Sequence, residues 1–316
     1  LTAPDAEEGP VEIDRKGEFP EGHLEGLAAK GWFGLYVPQV YGGKGSDFLS
    51  YALVVEEVAA QCASTSVILT TQILAIMPLL LAGSPEQKER FLPRLASGEA
   101  LGAIGITEPE AGSDVSNIQT RAEKRDGHYV LNGRKVLITN AGLADIYIIL
   151  ARTGEHRVKG LSMFVVEKNQ PGLSFGERDE YMGMRGAVTR EVILKDVIVP
   201  EENLLGAEGS GFFTLMNVFN FSRTLVGAQG VGIAKGALEY AGRYLQTRVQ
   251  FGKPLAQNEM LQGIVADLVM QTEAARELVH QAAIRVECDP DQAAYYASIA
   301  KCVGSDTAMN VTTQAV

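Results

Sequence analysis

The sequence predicts an α+β chain in three parts. These are an N-terminal helical domain over residues 1–100, a middle antiparallel β-domain over 101–206, and a C-terminal helical bundle over 207–316. Three observations predict it. Before Gly98, apolar residues recur at helical spacing, as at Leu53, Val54 and Val58. Between Leu101 and Ile198 the pattern shortens to β-branched runs separated by Asp126-Gly127, Asn132-Gly133 and Asn169-Gln170-Pro171-Gly172. After Val199-Pro200, long helical patterns return. Strand and helix do not alternate one by one, which argues against a doubly wound dinucleotide fold.

The first helical face carries Leu24, Leu27 and Ala28, and Gly31 ends it as a C-cap. Trp32 to Asp47, with Pro38, Gly42, Gly43 and Gly45, reads as a loop, and Ser50 to Gln61 as the second helix. Ser64 to Ala82 has little polar relief and is expected to be a buried helix. Its longest apolar run, Ile73 to Ala82, contains Pro78 and is too short to span a bilayer. Ser84-Pro85-Glu86-Gln87 combines an N-cap, a proline at the first helical position and a capping-box partner, and its helix is expected to run to about Leu95. Strands follow at Leu101–Ile106, Ile118–Lys124, Tyr129–Ile138, Ile146–Arg152, Ser162–Glu167 and Val188–Ile198.

A long helix is then expected from Phe212 to Arg248, a loop from Gln250 to Ala256, and a helix from Met260 to Glu287. Asp289-Pro290 breaks it and Asp291 starts another. Gly227-Ala228-Gln229-Gly230-Val231-Gly232 has the look of a nucleotide loop but lies inside a helical pattern, so it reads as close helix packing. Helical runs on both sides of a β-insert make an interface where a ligand is expected.

The formal net charge is −11, with no basic stripe, which argues against nucleic acid or an anionic membrane surface as a partner. Cys62, Cys288 and Cys302 are scattered and odd in number, so neither a disulfide framework nor a metal site is expected, and a reducing compartment fits. His23, His128, His156 and His280 form no cluster and are expected to be ordinary surface or core histidines. Leu1–Pro10 is polar and acidic, unlike a leader peptide. The chain opens without methionine and stops inside a helical pattern at Ala315-Val316, and is expected to be a piece of a longer one.

The candidate site begins at Ile104-Gly-Ile-Thr107-Glu-Pro-Glu-Ala-Gly112-Ser113-Asp114. A strand-like run meets a turn rich in small and hydroxylic residues. Two readings stand: an ordinary turn after a strand, or a cradle whose amides and hydroxyls face an anionic or heteroaromatic group.

Five stretches in order resemble the acyl-CoA dehydrogenase family. They are this turn; Leu131-Asn-Gly-Arg-Lys135-Val-Leu137-Ile138-Thr139-Asn-Ala141; Met182-Gly-Met-Arg185 with Val197 to Leu205; Glu208-Gly-Ser-Gly-Phe212 with Arg223; and Arg248-Val-Gln250-Phe251-Gly-Lys-Pro254. The match runs over nearly all of the chain. The resemblance implies FAD, an acyl-CoA thioester, and α,β-dehydrogenation with electrons passed to an electron-transferring flavoprotein. It also implies a homotetramer, in the cytoplasm of a bacterium or in the mitochondrial matrix of a eukaryote.

Carried onto this chain, the resemblance assigns cofactor contacts to Ile104, Ile106, Thr107, Gly112, Ser113, Leu137, Ile138, Thr139, Arg248, Gln250 and Phe251. Substrate contacts fall on Ser113, Asn220, Phe221, Ser222 and Arg223. Arg248 and Phe251 are expected to reach the FAD of a neighbouring subunit. Ile73, Leu74 and Met77 are candidate pocket walls alongside Phe221, with plain core packing as the competing role. Two departures stand out: Leu137 where many members have tryptophan over the flavin, and Glu259 where many have glutamine.

The family's catalytic glutamate has two alternative locations. One corresponds to Ser222, which cannot serve, so the base is expected beyond Val316. Glu108, Glu110 and Asp114 read as turn and capping groups. A same-fold oxidase or monooxygenase, or a non-catalytic FAD- or CoA-binding relative, are the competing functions.

Overall fold

The computed structural model describes residues 9–316. The expectation for Leu1–Pro10 lies, up to residue 8, outside the described residues.

The chain runs α1 (Pro10–Lys16), α2 (Glu21–Ala29), α3 (Phe48–Gln61), α4 (Ala63–Ala82) and α5 (Pro85–Ser97). Then come β1 (Gly102–Gly105), β2 (Arg121–Arg125), β3 (His128–Thr139), β4 (Ile146–Arg152), β5 (Leu161–Glu167), β6 (Leu173–Arg178), β7 (Thr189–Pro200) and β8 (Leu204–Leu205). The C-terminal part is α6 (Gly211–Thr247), β9 (Val249–Gln250), β10 (Lys253–Pro254), α7 (Glu259–Cys288) and α8 (Pro290–Ala315). The order helix, sheet, helix is the one expected.

Two compact units emerge. Among the described residues, one holds 47–66 and 220–316; the other holds 9–46 and 67–219.

In the second unit, eight strands form one sheet in the order β6-β7-β3-β2-β4-β5-β8, with β1 added beside β4. The ladders are antiparallel except β1–β4 and the single Arg121–Arg152 pair. Its core is Tyr129, Leu131, Tyr147, Ile149, Phe164, Val166, Val192 and Val197, with β4 and β5 buried along nearly their whole length. The helical residues of this unit are tied to the sheet by amide side chains. Gln72 on α4 donates to Leu95 O and Ala100 O at 2.9 Å and accepts from Gly102 N at 2.7 Å. Ser84 and Gln87 form the expected capping box, and Gln87 Nε2 also donates to Glu202 O and Leu204 O.

In the first unit, α6, α7 and α8 approach closely through glycines. A Cβ on Gly227 would sit 2.8 Å from Ala300 O, and one on Gly230 would sit 2.5 Å from Gly304 O. The glycine run is therefore helix packing, as expected.

Several expectations need correction. α1 and β6 carry no expected element, and the expected loop Gln250–Ala256 holds the β9–β10 hairpin. The strand expected at Ile118 begins at Arg121, because Val115–Asn117 forms a 3-10 turn first. α4, by contrast, is the helix expected over Ser64 to Ala82, begun one residue earlier. Its 20 residues are long and apolar enough to cross a membrane by length and composition, but 72% of that stretch is buried inside the protein, the mark of a core helix.

Candidate functional site

Two short segments of the sheet unit carry most of the expected cofactor contacts. The first leaves β1 at Ile106 and turns at Glu108–Ala111. Glu108 N donates to Ala111 O at 2.9 Å and Ala111 N returns a bond to Glu108 O at 3.2 Å, with Pro109 pre-setting the turn. Beyond it, Gly112 and Ser113 are exposed, and a Cβ on Gly112 would meet nothing within 4 Å.

The second segment is the end of β3. The register with β7 slips between Lys135 and Ile138, so β3 holds one extra residue there. Leu137 takes up the slack at φ 58°, outside the usual range for a leucine, and its side chain is 59% exposed. Ile138 regains the ladder opposite Arg190, and Thr139 follows opposite Thr189. Asn140, at φ 64°, turns the chain, and its Nδ2 donates to Gly102 O at 3.1 Å.

The two segments are bound to each other. Val136 N donates to Thr107 O at 2.9 Å. Lys135 Nζ donates to Ile106 O at 3.1 Å and to Glu108 Oε1 at 2.7 Å, and the Lys135 side chain has no solvent exposure. Glu108 also accepts from Gln119 N at 2.6 Å and Thr120 N at 3.0 Å. Burial pushes Lys135 down to about 8, against the pull of the Glu108 charge. Burial pushes Glu108 the other way, but the Lys135 charge and the hydrogen bonds from Lys135, Thr120 and Gln119 together bring it below its usual value.

What this clamp leaves over is a set of unused donors. Among the described residues, no acceptor meets the amides of Thr107, Gly112 or Ser113, and no partner meets the hydroxyls of Thr107, Ser113 or Thr139. Ile104 is half-buried and Ile106 and Ile138 are buried, so these three act through backbone or as packing. Glu108 and Asp114 are occupied as clamps: Asp114 accepts from Ser116 Oγ at 2.5 Å and Arg157 Nη2 at 2.5 Å.

The other expected residues lie in the helical unit. Asn220, Phe221, Ser222 and Arg223 form one turn of α6. Arg223 Nη1 reaches Asn220 Oδ1 at 3.5 Å, and Phe221 packs edge-on against Phe48, centroids 4.8 Å apart. Arg248, Gln250 and Phe251 lie at the β9–β10 hairpin. Phe251 and Gly252, both at positive φ, make its two-residue turn. The Phe251 ring is fully exposed, and among the described residues Arg248 has no carboxylate partner. Ile73 and Met77 are buried, in keeping with plain core packing, and Glu259 starts α7 exposed.

Sequence reasoning missed Lys135 as a site residue, although Lys in the middle of an apolar strand pattern was a signal. It also missed Glu56, fully buried and bonded to Arg276 Nε at 2.8 Å and His280 Nε2 at 3.0 Å. A cavity of about 630 Å³ lined by Ser84, Gln87, Arg90, Glu202 and Asn203 holds none of the expected site residues.

Unpaired amides and hydroxyls on one clamped pair of segments suit a protein that holds an anionic or heteroaromatic group. Comparison makes this specific. Residues 4–99, 103–197 and 209–316 match the N-terminal, middle and C-terminal domains of acyl-CoA dehydrogenase. The cyclohex-1-ene-1-carbonyl-CoA dehydrogenase of Geobacter metallireducens is 44% identical over 97% of this chain and 81% of its own. The structure of butyryl-CoA dehydrogenase from Megasphaera elsdenii superposes with TM-score 0.93 at 42% identity, over 96% of this chain and 81% of that one. A chain in the structure of the electron transferring flavoprotein of Acidaminococcus fermentans does so with TM-score 0.94 at 40% identity, over 96% and 80%.

The protein is a flavin-dependent oxidoreductase. It belongs to the acyl-CoA dehydrogenase family.

The residues present fit a flavin. The unpaired Thr107, Gly112 and Ser113 amides suit ring heteroatoms or phosphate oxygens, and exposed Leu137 offers an apolar face.

Proposed function

We propose that the protein binds FAD and oxidises an acyl-CoA thioester to the 2-enoyl-CoA, passing the electrons to a carrier flavoprotein. The observation that carries this reading is the match of all three family domains, in order, along the chain. Similarity to proteins named for cyclohexene-carbonyl-CoA and butyryl-CoA supports a short or cyclic acyl group. Similarity to a chain in an electron transferring flavoprotein structure supports the carrier as acceptor.

In this reading bound FAD supplies the hydride acceptor. The backbone of Ile104, Ile106 and Thr107 meets the ring edge, and the Thr139 hydroxyl lies beside the reacting nitrogen. Gly112 and Ser113 meet phosphate, and Leu137 and Ile138 line the ring. Asn220, Phe221, Ser222 and Arg223 approach the CoA arm together with Ser113. Arg248 offers a planar fork to the pyrophosphate of a neighbouring subunit's FAD, and Phe251 and Gln250 cover its adenine side, within a homotetramer. The substrate α-proton needs a carboxylate, and we assign that role to none of Glu108, Glu110 or Asp114.

Anaerobic titration of the purified protein with butyryl-CoA and longer saturated acyl-CoAs tests the reading. Loss of flavin absorbance, recovered on adding carrier flavoprotein, is expected. Binding of FAD without bleaching by any thioester sinks it in favour of a non-catalytic relative. Fast reoxidation by oxygen alone favours an oxidase.

A further inference from the structure

We propose that Glu108 and Lys135 are a positioning pair: they set how the Thr107 turn and the Leu137–Thr139 bulge face a bound flavin. The inference rests on the FAD reading above and deepens it.

The pair joins three backbone segments. Lys135 Nζ holds Ile106 O at 3.1 Å and Glu108 Oε1 at 2.7 Å. The same carboxylate takes the amides of Gln119 and Thr120, on the approach to β2. Two residues along from Lys135, the bulge throws Leu137 outward, and one residue back from Glu108 stands Thr107. Every unused amide and hydroxyl named above therefore lies within a few residues of this ion pair.

Stability alone does not account for it. Both side chains are removed from water, Lys135 entirely and Glu108 to 4% exposure. Desolvating such a pair offsets most of its attraction, and an apolar pair of like volume is often as stable. An apolar pair could not, however, accept from Gln119 N and Thr120 N or donate to Ile106 O. Directional hydrogen bonds fix the relative placement of backbone segments, whereas apolar contact is non-directional. What the ion pair supplies is orientation of the donors that remain free.

The experiment compares the unaltered protein with Lys135→Arg, Lys135→Met and the double variant Glu108→Gln/Lys135→Met. Three quantities are read: the thermal midpoint of flavin-free protein, the FAD dissociation constant, and the bound flavin's visible absorbance band. The double variant removes both charges, so its flavin-free midpoint is expected to recover most of what Lys135→Met loses. Its FAD affinity is expected to stay about tenfold weaker, the worth of one misplaced hydrogen bond, with a shifted band.

Lys135→Arg keeps the charge but not its point geometry. It is expected to fold and to bind FAD more weakly with an altered band, which keeps the test decisive if the double variant does not fold. FAD affinity that tracks the flavin-free midpoint across all variants overturns the proposal, as does unaltered affinity and band in Lys135→Arg. If the unaltered protein takes up no FAD, the functional reading falls and this inference with it. If it takes up FAD and the variants do so equally, only this inference falls.

Discussion

Glu56 on α3 and His280 on α7 meet with Oε2 and Nε2 3.0 Å apart, at a carboxylate closed to solvent. Arg276, one turn earlier on α7, donates to the other oxygen at 2.8 Å. A single carboxylate thus fastens α3 to α7, and Phe48 N adds a second tie by donating to Glu287 Oε2 at 2.9 Å. Glu56→Ala leaves a guanidinium and an imidazole facing an apolar gap. Breaking a buried pair costs about 3–5 kcal/mol. Arg276 keeps 34% exposure and can re-solvate, so the low end is expected. Urea unfolding checks this; an unchanged midpoint means the carboxylate is not holding α7.

The glycines of α6 give a contrast within one helix. Gly230→Ala puts a methyl 2.5 Å from Gly304 O, backbone that cannot yield without moving α8. Overpacking of this kind costs about 1–3 kcal/mol. Gly242 meets nothing within 4 Å, so Gly242→Ala is expected to raise stability by about 0.5–1 kcal/mol through helix propensity. Thermal melts of the two variants should move in opposite directions, and a common sign would refute the packing argument.

These examples show what the sequence made legible. The Ser84–Gln87 capping box and the packing glycines are local, so four or six consecutive residues carry the whole signal. α1, only seven residues long, is too short for a periodic pattern. β6 has no fully buried residue, contains Gly176 and pairs only with β7 among the described strands, so its alternation is too weak to read. Pairings over distance were hidden for another reason. Glu108 and Lys135 are 27 residues apart, and Glu56 and Arg276 are 220 apart. Charge spacing reports contacts along a helix, not contacts made by folding. The site segments were legible as motifs, whereas the bulge that presents Leu137 arises only from the β3–β7 register.

Lys135 gives a pH prediction whose sign follows from its burial. Its pKa falls from 10.5 to about 8 in the folded protein. Between those values the unfolded chain binds more protons than the folded one, so this lysine's contribution to stability rises with pH across that window. Below it, the cost of burying the charge is present in full. Arginine stays charged throughout. Flavin-free protein should therefore gain stability relative to Lys135→Arg as pH rises from 8 toward 10.5, read as the difference between their urea midpoints. Glu108 acts at the other end. Its folded value lies below 4.5, so the stability it contributes is present above that pH and lost as acid takes it through the folded value. A flat difference across the alkaline window would show that Lys135 keeps its proton.

Leu137 combines strain with exposure, and neither serves the sheet. A leucine at φ 58° costs about 1–2 kcal/mol relative to the right-handed region. Leaving its side chain 59% exposed returns little burial. Gly suits that backbone without strain, so Leu137→Gly is expected to raise the thermal midpoint of flavin-free protein. The unaltered residue earns its place only if something covers it. With FAD bound in the proposed manner, Leu137 lies along the ring, so Leu137→Gly should brighten the bound flavin's fluorescence and ease quenching by iodide. Stability should rise while flavin shielding falls. If both stay as in the unaltered protein, Leu137 neither strains the bulge nor touches the cofactor.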